Sequence, residues 1–141
     1  MIERTYDADR LNYLVNHPDI RPFVGGDITQ SIDLTSAVAN EANIFLNGEH
    51  GAFCCSWTAP NTYEVHTLIL PAGRGKWAYS FARAGRDEMV RRQALHLWTC
   101  VHPEAANVRF FTLRAGFRPA GKYTRDLGAG PVEYDIFNWR A

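Results

Sequence analysis

Glu64 and His66 stand two residues apart in Thr62–Leu70, a stretch that reads as a strand. Strand alternation puts both side chains on one face. A histidine there can take a proton near neutral pH, and the glutamate can act through a water. Directly downstream comes Gly73-Arg74-Gly75-Lys76, followed by apolar residues at helical spacing (Trp77, Ala78, Phe81, Ala82, Met89). The glycines allow a sharp turn and close approach of a ligand. The first N–H groups of a helix are unpaired and carry partial positive charge. Strand, glycine turn and helix start together form an anion site, usually for phosphate, with Arg74 and Lys76 adding two full charges. The turn lacks the Gly-Lys-Ser/Thr of a Walker loop and the third glycine of a dinucleotide fingerprint. His102, after the next strand, is a further candidate base or a cap.

Cys54 and Cys55 are adjacent in the strand-like AFCCSW, so their thiols should point to opposite faces. With Cys100 the total is three, which argues against a disulfide framework. A zinc site would need two more ligands close by, and the sequence offers none, so no metal is expected.

These residues need elements to hold them. Met1–Tyr6 alternates as a first strand. Asp7 is a good N-cap for a helix ending at His17-Pro18. Asp19–Asp27 is a loop, and Ser31–Asn40 reads as a short helix. Ile44–Leu46 and Ala52–Thr58 form a hairpin about Asn47–Gly51, and Thr62–Leu70 follows as the next strand. A helix is expected over Lys76–Arg92, a strand over Leu95–Val101, and a helix from Pro103 to Ala115 stopped by Gly116. Two final strands, Phe117–Arg125 and Val132–Trp139, flank a glycine-rich loop. The alternation predicts one α/β domain over 1–141, a mixed sheet with helices on both faces.

Composition narrows the function classes. No apolar run reaches the roughly 18 residues of a membrane span, and the N-terminus lacks a secretory h-region, so a cytoplasmic protein is expected. Net charge is zero but unevenly spread. Residues 1–72 carry nine acids and three bases, and residues 73–141 carry twelve bases and six acids. That favours a polyanionic ligand on the second half. Nucleic acid would require a dense basic run with interleaved aromatics, which is absent from the sequence.

The order of elements, with an anion-binding turn after the fourth strand, resembles the GNAT family of N-acetyltransferases. Arg74-Gly75-Lys76 matches the opening of that family's acetyl-CoA loop, which departs from the pattern at Trp77 and Tyr79, where small residues are usual. Val101-His102-Pro103-Glu104 and Arg114-Ala115-Gly116-Phe117 resemble its strand–helix segment ending in Gly-Phe. The stretch Lys122–Asp126 with the glycine-rich loop is also similar to small GNAT-like proteins of short-tailed phages.

The resemblance implies a mostly antiparallel sheet of six to seven strands in which the fourth and fifth splay apart. It implies acetyl-CoA as cofactor, with Ile69 and Leu70 near the pantetheine arm and the backbone of Arg74, Gly75, Lys76, Trp77 and Ala78 around the pyrophosphate. Glu64 and His66 are then candidate bases. Thr112 falls where many relatives carry a tyrosine acid, and Asn107 lies near the usual helix-opening asparagine. The expected activity is direct acetyl transfer to an amine of a small molecule or protein. The alternative is a degenerate fold serving as a phage virion or assembly module, with Trp77 and Tyr79 filling the cofactor's place. A homodimer or a virion partner is compatible with either.

Overall fold

Asp7 caps the first helix, its carboxylate accepting the Arg10 N–H at 3.1 Å. In the computed structural model, which describes residues 2–141, this helix is α1 (Ala8–Val15). Its asparagines shape the segment around residues 32–34. Asn12 accepts the Leu34 N–H and Asn16 accepts the Ile32 N–H, each at 2.7 Å. Asp33 takes both the N–H and the hydroxyl of Thr35. These bonds hold the segment out of helical geometry. The helix expected over Ser31–Asn40 is therefore shortened to α2 (Thr35–Ala39).

The strands are β1 (Glu3–Arg4), β2 (Ile44–Gly48), β3 (Gly51–Ala59), β4 (Thr62–Ile69), β5 (His96–Val101), β6 (Arg118–Asp126) and β7 (Pro131–Arg140). The first is shorter than the expected Met1–Tyr6, and Met1 lies outside the described residues. The long helix is α3 (Lys76–Arg91), and the last is α4 (Ala106–Arg114). The expected start of α4 at Pro103 is corrected by a turn. His102 Nδ1 accepts the Glu104 N–H, and the His102 carbonyl accepts the Ala105 N–H, so helical geometry begins three residues later.

One sheet runs in the order β1-β2-β3-β4-β5-β7-β6. All neighbours are antiparallel except β4 and β5. Strand alternation divides the core into two layers. Phe53, Cys55, Val65, Leu97 and Phe137 face α3, which contributes Phe81, Ala82 and Met89. Phe45, Ala52, Cys54 and Leu68 face α1, which contributes Leu11, Leu14 and Val15. Cys54 and Cys55 thus lie on opposite faces as expected. Burial pushes the Cys54 thiol up to about 12. Among the described residues no helix is long and apolar enough to cross a membrane.

The loop between α1 and α2 is held by Arg21, which is buried. Its Nε, Nη1 and Nη2 donate to the carbonyls of Gln30, Gly25 and Asp27 at 3.0, 2.8 and 2.7 Å. This loop packs against the β6–β7 loop at Leu127. The two form one wall on the α1 side of the sheet.

Candidate active site

The parallel pair β4/β5 is joined only at Thr62–Glu64, opposite His96–Trp98. From Val65 to Ile69, β4 has no strand partner on its β5 side, and the two strands diverge. A cavity of about 520 Å³ occupies the gap. Val65, His66 and Ile69 line it from β4, and Thr99 and Cys100 from β5. Tyr79 and Ala82 of α3 and Asn107, Phe111 and Thr112 of α4 close the far side.

One end of the cavity is the glycine turn. Pro71–Gly73 forms a single 3-10 turn that consumes the N–H groups of Gly73 and Arg74. The first helical bond of α3 is made by the Tyr79 N–H to the Gly75 carbonyl at 3.3 Å. The N–H groups of Lys76, Trp77 and Ala78 precede it and are free for a ligand. Gly75 sits at φ 98°, ψ −135°, a conformation open to glycine alone. Nothing stands within 4 Å of where its Cβ would be, so the approach is clear. The run of free N–H groups thus begins after Arg74, whose own N–H is used by the turn. Arg74 instead lines the cavity and donates to the Asp19 carbonyl at 2.6 Å, tying the turn to the α1–α2 loop.

Trp77 does not fill the cavity. Its ring stacks on Phe81 at 4.5 Å and meets His50 at 5.0 Å, half-buried against the α3-side core. This removes the basis for expecting Trp77 to replace a cofactor; its ring packs over Gly73 of the turn instead. Tyr79 does line the cavity, stacked on Phe111 at 5.2 Å with Arg114 over its ring. Leu70, expected near the cavity with Ile69, packs instead into the α1-side layer. Thr112 lines the wall, but its hydroxyl donates to the Val108 carbonyl at 2.8 Å, so its proton points into the helix.

Glu64 and His66 are together on the α1 face of β4, as their spacing requires. Glu64 Oε2 is 3.5 Å from His66 Nε2 and 2.6 Å from Arg125 Nη1. Glu64 is 7% exposed, whereas the His66 side chain is 46% exposed. Burial pushes the Glu64 carboxyl up, but His66 and Arg125 outweigh it and hold the group below its ordinary value. A carboxylate so held is a poor base and a good orienting group. With Nε2 turned to Glu64, Nδ1 is the nitrogen of His66 left open.

Because the folded value is lowered, Glu64 should stabilise the fold above its unfolded pKa of about 4.3 and lose that contribution as pH falls through the folded value. Urea melts of Glu64→Gln should show a shallower loss of stability than wild type on acidification below about pH 4.3. An unchanged acid slope would contradict the pairing.

Sequence reasoning missed Arg125 and Cys100 as members of this cluster. Arg125 reaches from β6 across the sheet, and its Nη1 also lies 3.8 Å from Cys100 Sγ. The contact with Glu64 spans 61 residues, and no spacing rule signals it.

No protein-family model and no curated protein matches the sequence. Solved structures do match along nearly the whole chain. A ribosomal-protein-alanine N-acetyltransferase from Brucella melitensis superposes with a TM-score of 0.76 at 14% identity, covering 100% of this chain and 99% of that one. A GNAT-family acetyltransferase from Bacillus anthracis gives 0.71 at 14%, covering 99% and 93%. The fold is that of the GNAT acetyltransferases. The aminoglycoside acetyltransferase AAC(6')-Ib, solved with coenzyme A and kanamycin, shares this GNAT fold with a TM-score of 0.74 at 17% identity, covering 99% of this chain and 94% of that one.

Proposed function

We propose that the chain is an acetyl-CoA-dependent N-acyltransferase that moves an acetyl group directly to an amine. The observation that carries this reading is the cavity through the β4/β5 splay, ending at the open N–H groups of α3. Its residues fit CoA. Gly75 leaves an unobstructed anion cradle, the unpaired β4 edge offers backbone groups to an amide-bearing arm, and Ile69 and Phe111 supply apolar walls. AAC(6')-Ib, with the same fold, was solved with coenzyme A.

Bound acetyl-CoA supplies an activated thioester. His66, oriented by Glu64 through Nε2, takes the amine proton at Nδ1 as the N–C bond forms and the C–S bond breaks. A backbone N–H on the free β4 edge donates to the carbonyl oxygen as charge develops there. Tyr79, the only phenol lining the cavity among the described residues, returns a proton to the departing sulfur. Gly75, Lys76, Trp77 and Ala78 bind the pyrophosphate through their backbone. Asn107, on the first turn of α4, contributes to the wall beside the arm.

Acetyl-CoA at 100 times its dissociation constant should stabilise the fold by about 2.7 kcal/mol. A thermal shift titration reads this. An unmoved Tm at millimolar acetyl-CoA would sink the proposal.

A further inference from the structure

Arg125 is not a filled structural arginine. Arg21 shows what one looks like in this chain, with all three guanidinium nitrogens bonded to carbonyls. Arg125 uses one nitrogen, Nη1, for both Glu64 and Cys100. Among the described residues its Nε and Nη2 have no hydrogen-bond partner, and the side chain is 27% exposed. That pair of donors is the edge of the guanidinium that takes a carboxylate in a two-point fork. The Tyr123 ring lies 5.5 Å from the guanidinium carbon and restricts its position.

The charges around the cleft agree with this. Glu64 is already neutralised by Arg125. Asp19 is the only acid among the residues lining the cavity, and its side chain is 58% exposed and beside His17. A polycationic acceptor would find no buried, unpaired carboxylate there. Glu64 Oε2 lies 3.5 Å from His66 Nε2 and 2.6 Å from Arg125 Nη1, so the imidazole and the guanidinium flank one carboxylate.

We propose that the acceptor is an amine that also carries a carboxylate, with its carboxylate on Nε and Nη2 of Arg125 and its amino group at Nδ1 of His66. This rests on the acyltransferase reading. The test measures thiol release from acetyl-CoA with the twenty protein amino acids, each paired with its carboxamide, and with spermine and kanamycin. At least one amino acid should exceed its carboxamide by tenfold or more in kcat/KM, and the two polycations should be slower than that amino acid. Arg125→Lys, which keeps the charge but loses the fork, should bring the acid-to-amide ratio toward one whatever it does to the absolute rate.

Carboxamides as good as the acids would overturn the proposal, as would a polycation turned over best. A ratio unchanged in Arg125→Lys would do the same, and so would acetyl-CoA binding with no amino acid acetylated. Failure to bind acetyl-CoA at all, read by the thermal shift, would instead remove the underlying acyltransferase reading.

Discussion

His66→Ala should lower kcat by about 10²–10⁴-fold, which is about 2.7–5.5 kcal/mol of transition-state stabilisation. The size reflects the role proposed for the residue. An amine is protonated near neutral pH and attacks only after losing that proton, and His66 is the exposed basic group on the α1 face of the splay. Its carboxylate neighbour cannot replace it, because Arg125 and His66 hold Glu64 ionised and engaged. The affinity for acetyl-CoA should stay within about threefold of wild type, because the anion cradle at Gly75–Ala78 is built on other backbone. Single-turnover kinetics beside an equilibrium CoA titration separate the two. A variant retaining more than a tenth of wild-type kcat would show that the amine proton leaves by another route.

Gly51→Ala should cost about 3 kcal/mol of stability, the upper end of what overpacking a well-filled interior costs. Gly51 begins β3 and faces Ile69 at the end of β4. A Cβ there would overlap the Leu68 carbonyl oxygen and come within 3.1 Å of the Ile69 Cα. Both are backbone atoms, so no side-chain rotation relieves the clash. The strand that must move is the one whose other edge lines the cavity. A fall in Tm of about 6–12 °C is expected for a chain of this size. A change below about 1 kcal/mol in urea melts would show that the hairpin tolerates a shift.

The architecture was legible in sequence because most elements carry their own local signal. The alternation in β3 and β4, the Asp7 cap and the Gly116 stop each act over a few residues, and the order of strands and helices results from them. The errors arose where side chains captured backbone groups at a helix start, one set from far along the chain and one from two residues away. Asn12 and Asn16 unwind the start of α2 from about twenty residues away, and His102 delays α4 by building its own turn. The site divides the same way. Glu64 and His66 could be paired by counting two along a strand, and the glycine turn could be read from its residues. Arg125 could not, because its reach depends on β6 being placed outside β7, two strands beyond β5. The inward turn of Trp77 was equally hidden, since it depends on the room left beside Phe81 and His50.

The two margins of the sheet have a further consequence, for solubility. An open strand edge recruits other strands, and proteins that stay in solution blunt such edges. Here one margin is β1, only two residues long. The other is β6, which is exposed along nearly its whole length. It carries Pro119, which has no N–H to offer, and Lys122, and its register is broken between Pro119 and Gly121. A broken, charged strand is a poor template for another. The fold therefore leaves an unpaired stretch of strand in its interior, between β4 and β5, while its outer margins are poor templates for further strands.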